Sequence, residues 1–163
     1  MKKIGLISDT HSFIHPKLYE FFKDVDEIWH AGDIGDIETA DKLVNFKVFR
    51  AVYGNIDNAD LRKEYPKTQI FNCEDLKVYI THIGGYPKRY EASVLKQLKK
   101  EKPGLFISGH SHILKVINDP DLNLLHINPG AAGKHGFHKV STMLRFSVDG
   151  KRIKDLEILE LKR

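Results

Sequence analysis

Five times along this chain an apolar run stops abruptly and gives way to a side chain with an oxygen or nitrogen donor. Lys3 to Ser8 runs into Asp9-Thr10-His11, and Glu27 to His30 is followed by Gly32-Asp33. Lys47 to Tyr53 leads to Gly54-Asn55, Lys77 to Thr81 to His82, and Gly104 to Ser108 to Gly109-His110-Ser111-His112. Short apolar runs bounded by polar residues read as buried strands. Open α/β folds place their ligand sites where strands end on one edge of a sheet. The chain therefore has to fold so that these ends share an edge, and that requirement constrains it more than any bulk property.

Between the runs the spacing turns helical. Pro16 can open a helix, because its missing N–H would be unpaired there anyway, and Leu18, Phe21, Phe22 and Val25 follow at helical intervals. Asp36 is a candidate N-cap for a helix from Ile37 to about Val44. Strand, helix, strand, helix, strand is the signature of right-handed parallel crossovers. Past Asn58 the pattern changes. Gln69 to Asn72 and Lys77 to Thr81 read as a hairpin, Tyr90 to Lys100 as an amphipathic helix, and Leu114–Ile117, Leu124–Ile127, Thr142–Val148 and Ile153–Leu161 as strands. Asp149-Gly150 is a hairpin-turn signal. A parallel half followed by an antiparallel half, with no linker or repeat, predicts one α/β domain over residues 1–163, built of two packed mixed sheets flanked by helices.

Bulk properties exclude several classes. A chain of 163 residues with 41% hydrophobic and 29% charged residues can bury a sizeable core, which argues against disorder. The net charge of +4 is mild, and its densest stretch, Lys96 to Lys102, is interleaved as on a solvated helix face, so a nucleic-acid partner is not indicated. Cys73 is the only cysteine; it permits no intrachain disulfide and reads as core filler, not as a nucleophile. The apolar stretch at the N-terminus is too short for a signal peptide or a membrane span, so a cytoplasmic protein with no membrane partner is expected.

The donors have their own logic. In Asp9-x-His11 and His110-x-His112 two donors lie two residues apart. On a strand they would share a face; in a loop they could both reach one ion, or one each of two adjacent ions. The glycines at 32, 54 and 109 permit sharp turns and close backbone approach just before each donor. Each motif alone has a plain alternative: a helix cap or turn for Asp-x-His, turn chemistry for Gly-Asp, Asx turns around Asn55, a satisfied core histidine for His82. Repetition at every strand end outweighs those alternatives. Carboxylate, amide and imidazole without thiolate suit borderline to hard divalent ions, Mn²⁺ first, with Fe²⁺, Zn²⁺ and Ni²⁺ behind it.

Taken in order, Asp9-Thr10-His11, Gly32-Asp33, Gly54-Asn55, His82 and Gly109-His110-Ser111-His112 resemble the motif blocks of the calcineurin-like metallophosphoesterases. The short chain, the Gly-Asn-x-Asp form of the third block and Asn128-Pro129-Gly130 resemble the small prokaryotic phosphodiesterase subfamily. The resemblance runs from Lys3 to about Gly130. It implies a four-layer α/β/β/α sandwich with two metal ions above the sheet edges. One ion would be held by Asp9, His11 and His112, the other by Asn55, His82 and His110, and Asp33 would bridge both. Such a pair acidifies a shared water and neutralises charge on phosphoryl oxygens, giving hydrolysis of a small phosphoester substrate.

Two departures stand out. Many family members carry a His after the Gly-Asn pair, where this chain has Ile56, which cannot protonate a leaving group. Thr81-His82-Ile83-Gly84 replaces the Thr-His-Gly-His of close relatives, keeping the ligand but losing the second His. Lys134, His135 and His138, just past the Asn128-Pro129-Gly130 turn, are candidates to contact the phosphate or act as general acid in compensation; incidental surface histidines are the alternative. His15, His30 and His126 are assigned to structure, with His30 a candidate to support Asp33. Two rival functions remain, a phosphomonoesterase of the same fold and a non-catalytic protein-binding scaffold like the retromer subunit. Retention of all seven ligand positions favours the enzyme. Strands of the C-terminal half could pair between copies in a homo-oligomer.

Overall fold

The computed structural model describes residues 1–163, and in it ten strands form two five-stranded mixed sheets with four helices around them. In the first sheet β1 (Lys2–Ile7), β2 (Glu27–His30) and β3 (Val48–Ala51) run parallel, with Ile4 opposite Glu27 and Glu27 opposite Val48. Helices α1 (Lys17–Phe21) and α2 (Ile37–Phe46) make the crossovers. After α3 (Ala59–Glu64), β4 (Thr68–Cys73) and β5 (Leu76–Thr81) form a hairpin that opens the second sheet, ordered β4-β5-β6-β8-β7. There β5, β6 (Leu105–Ile107) and β8 (Leu124–Pro129) are parallel, with α4 (Ala92–Glu101) between β5 and β6 and β7 (Leu114–Asp119) antiparallel at the edge. The chain then returns to the first sheet, where β9 (Val140–Asp149) pairs antiparallel with β1, and β10 (Arg152–Lys162) closes the edge.

Alternation along each strand explains the layering, because successive side chains point to opposite faces. Ile4, Leu6, Trp29, Val78, Ile80, Leu105, Ile107, Leu144 and Phe146 all lie in the core between the sheets. Their neighbours face outward: Ile7, Ile28 and Met143 pack with Leu18, Phe22 and Leu43 of the α1–α2 layer, and Tyr79 and Phe106 with Val94 and Leu98 of α4. The central strands β1, β5, β6 and β8 are buried on both faces, which is why they read as continuous apolar runs, whereas the edge strands β7 and β10 keep exposed residues. The result is the expected four-layer α/β/β/α sandwich.

Local chemistry accounts for the differences from expectation. Helix α1 ends at Phe21, before Val25, with Phe22 as its C-cap and no side-chain cap at its N-terminus. Helix α3 was not anticipated: only Leu61 of it is buried, so it shows no periodicity, and its signal is the Asn58 cap accepting from the Leu61 N–H at 3.1 Å. The last hairpin turns one residue later than expected. Asp149 pairs with Arg152, and Gly150 takes the left-handed conformation with φ +61°.

Parallel strands put their C-terminal ends on one edge. The ends of β1, β2 and β3 and those of β5, β6 and β8 lie side by side there, joined across the sheets by Ala132 N–H to the Ser8 carbonyl at 2.8 Å, while Gly109 N–H to the His82 carbonyl at 2.9 Å ties β5 to β6 within the second sheet.

Candidate metal centre

All seven predicted donors sit in the loops at that edge. Asp9 and His11 follow β1, Asp33 follows β2, Asn55 follows β3, His82 follows β5, and His110 and His112 follow β6. None continues its strand, which settles the choice left open by the two-residue spacing. Asp9, His11, Asp33, His110 and His112 all take left-handed backbone conformations, with φ between 45° and 71°. Non-glycine residues reach that region at a cost of about 1–2 kcal/mol each. A surrounding frame has to hold them there.

Much of that frame is polar and buried. Thr10 Oγ donates to the Ile34 carbonyl at 2.8 Å and lies 2.9 Å from His30 Nε2, while His30 Nδ1 accepts from Gly32 N–H at 3.0 Å. These bonds give His30 a proton on Nε2 and lock the turn before Asp33. Burial holds its pKa down at about 4, so the ring stays neutral. Asp57 does more. Its carboxylate accepts from Gly54 N–H at 2.8 Å, Gly35 N–H at 2.9 Å and Ile34 N–H at 3.1 Å, tying the loop after β3 to the loop after β2. Ser8 Oγ donates to Asp9 Oδ2 at 2.7 Å, and His110 N–H reaches the same oxygen at 3.1 Å. Asn128 donates to the Gly109 carbonyl at 2.9 Å and to Ser111 Oγ at 3.1 Å, bracing the loop that carries both histidines.

Held in this way, the donors form two groups. Asp9, His11 and His112 have donor atoms within 4.8 Å of one another, and so have Asp33, His82 and His110. Asp33 Oδ2 stands between them, 3.3 Å from His82 Nε2 and 3.5 Å from His11 Nε2. Asn55 Oδ1 joins the second group, 3.0 Å from His82 Nε2 and 3.1 Å from His110 Nδ1. His82 Nδ1 lies 2.7 Å from the Ala31 carbonyl, so it carries the proton and turns the Nε2 lone pair towards those oxygens. Asp9 Oδ1 and His11 Nε2 are buried without a hydrogen-bond partner, a costly arrangement that a cation would relieve. The donor set and these orphaned atoms fit two divalent ions.

The electrostatics differ between the two groups of donors. Burial lowers the pKa of His11 against the pull of Asp33 and Asp9, leaving its imidazole neutral as a ligand must be. Burial would raise Asp33, but His82 and the Ile56 N–H outweigh it and keep Asp33 ionised. Burial also opposes protonation of His82, and there Asp33, Asp9 and the Ala31 carbonyl prevail, so its pKa is raised.

The loop after β8 folds over the centre. His135 stacks on His11 with ring centroids 4.6 Å apart, and His138 lies 6.0 Å from His112. Lys134 is turned aside, its ammonium 4.0 Å from the Phe13 ring. Arg163 Nη1 holds the loop by donating to the carbonyls of Lys134, His135 and Gly136 at 3.1–3.4 Å. Ile56 and Ile83 are exposed beside the ligands they follow. His15 only accepts from the Lys17 N–H, and His126 is buried against the Phe106 carbonyl, both far in role from the donors. In the sequence Asp57 stands only as the last residue of the Gly-Asn-x-Asp block, with no role given; an Asp three residues after a turn glycine is the local signal of this clamp.

Comparison with known proteins agrees with this geometry. A probable metallophosphoesterase of Methanothermobacter thermautotrophicus is 32% identical over 162 residues, 96% of this chain and 91% of the relative. Among solved structures, Vps29 of Chaetomium thermophilum shares the fold with a TM-score of 0.77 at 17% identity, covering 100% of both chains. A novel archaeal phosphodiesterase superposes with a TM-score of 0.72 at 25% identity, over 96% of this chain and 99% of the other. Residues 1–151 match the calcineurin-like phosphoesterase superfamily domain, and with all its motif blocks gathered at one sheet edge this chain belongs to that superfamily.

Proposed function

We propose that this chain is a phosphodiesterase working with two divalent cations, Mn²⁺ first among them. Asp9, His11 and His112 would hold one ion, Asn55, His82 and His110 the other, with Asp33 shared. The observation that carries the reading is the position of the Asp33 carboxylate oxygen, within 3.5 Å of an imidazole nitrogen from each group. When bound, the ions supply an activated water and neutralise charge developing on the phosphoryl oxygens. The protein's own contribution is positional. Asp57 and His30 fix the loops, burial keeps His11 neutral, and the His82 proton on Nδ1 is committed to Ala31. His135 and His138 overhang the centre and are assigned to contact with the substrate phosphate, supplying the polar groups that Ile56 lacks. The likeness to an archaeal phosphodiesterase supports a diester over a monoester.

A non-catalytic scaffold is the second reading, favoured by the exposure of Ile56, Ile83 and Ile113, each directly after a ligand. Metal analysis of the purified protein, with turnover of bis(p-nitrophenyl) phosphate and p-nitrophenyl phosphate in added Mn²⁺, separates the possibilities. Two ions per chain and a diester rate at least about tenfold above the monoester are expected. Turnover of neither ester would hand the site to the scaffold reading. His135→Ala and His138→Ala should each slow diester hydrolysis by about tenfold or more, within the range for a substrate-contacting donor; unchanged rates would remove them from the site.

A further inference from the structure

The centre opens on its Asn55–His82 side into a groove of about 580 Å³, within the usual range for a small-molecule site. Arg62 and Lys67 line it, opposite Gln97 and Ser93 of α4. Arg62 is held in place: Nε donates to the Asp57 carbonyl at 2.8 Å, Nη2 donates to the Asn55 carbonyl at 3.2 Å, and the guanidinium lies 4.7 Å from the Tyr53 ring. Through those two carbonyls it is fastened to the loop that carries a metal donor. Neither Arg62 nor Lys67 is in an ion pair, so neither charge is neutralised by a carboxylate of the chain. Glu91 is the one carboxylate on the groove, so its charge balance is positive. Two unpaired cations beside a phosphoester centre are complementary to an anion some distance from the scissile group, and a preorganised guanidinium with an ammonium suits a phosphate dianion.

We propose that this groove receives a second phosphate, so that the preferred substrates are diesters in which one alcohol component carries a further phosphate, as nucleotide chains do. The proposal rests on the phosphodiesterase reading of the adjoining centre. Arg62 also braces the loop after β3, so Lys67, whose ammonium makes no hydrogen bond or ion pair, is the cleaner probe.

The test measures binding to the Mn²⁺-loaded full chain by calorimetry, with thymidine 3′,5′-bisphosphate against thymidine 5′-monophosphate. The bisphosphate should bind about tenfold more tightly, the size of one charge-assisted hydrogen bond. Lys67→Glu should bring the ratio to within about twofold while its melting temperature stays at the wild-type value, as expected of an exposed side chain without partners. Equal binding of the two nucleotides by the wild type, or an undiminished ratio in Lys67→Glu, overturns the proposal. Bis(p-nitrophenyl) phosphate, which has no second phosphate, probes the centre alone. Its turnover with no nucleotide discrimination sinks the groove and leaves the diesterase standing. Discrimination without its turnover sinks the diesterase and keeps the phosphate site.

Discussion

Gly54 lacks a side chain because Asp33 occupies the space where one would stand: a Cβ there would collide with the Asp33 carboxylate and amide. Gly109 is under the same pressure from Ser8 and Asp9, and Gly32, at φ +103°, from the His82 ring. These glycines let backbone lie directly against the candidate donors or the residues beside them, and each precedes one candidate donor in the chain. Gly54→Ala should therefore push Asp33 out of its shared position. The expected outcome is a fall from two Mn²⁺ to one or fewer per chain by elemental analysis, with diester turnover down by about a hundredfold, as for misplaced catalytic groups. Full occupancy and wild-type rate would show that the Asp33 position is not critical. Cys73 is a contrast, a buried side chain whose thiol is pushed up to about 11 by burial, inert in keeping with its reading as core filler.

The loops after β2 and β3 are short and mutually dependent, and the first is held in left-handed conformations at Gly32, Asp33 and Gly35. Asp57 satisfies three backbone N–H groups from both, and without it those donors would be left to compete for water in a buried turn. Asp57→Ala should cost about 3 kcal/mol, or about 6–12 °C in melting temperature for a chain of this size, read by thermal denaturation. Asp57→Asn should fall between the two, since it keeps the shape but replaces one accepting oxygen with a donor. A melting curve unmoved by Asp57→Ala would mean the loops are held by their other bonds. The loop from Gly133 to His138 depends on Arg163, near the end of the chain, for its inner carbonyl bonds. Its approach to His11 thus rests on a contact between distant parts of the sequence.

Seen entire, the molecule is two sheets glued by one apolar layer, with the donor set straddling the seam: Asp9 and Asp33 come from one sheet, His82 and His112 from the other. Two buried histidines write a pH dependence into that packing. Burial lowers His126 to about 4, against an ordinary value of about 6.5. Between those values the unfolded chain binds a proton that the folded chain refuses, so this contribution to stability is full above about pH 6.5 and is lost as pH falls towards 4. His126→Leu should flatten the stability–pH curve in that window by up to about 1.4 kcal/mol per pH unit relative to the wild type, measured by denaturant unfolding. Parallel curves for the two proteins would mean that His126 is protonated equally in both states. His30 is lowered in the same direction and should behave alike. Much of this architecture was readable from one chain. Apolar runs broken by Gly-donor pairs and the Asp36 cap are local properties, because strand runs and turn chemistry depend on residues a few positions apart. Helix α3 escaped notice because a single buried leucine makes no pattern. The spacing of His110 and His112 could not say that they serve different groups, nor that His135 lies over His11 or that Arg62 and Lys67 flank the same opening. Those outcomes hang on left-handed turns held by partners far away in the chain, such as His110 N–H on Asp9 and Gly35 N–H on Asp57. The donors' identities were written locally; their convergence belongs to contacts that exist only once both sheets are closed.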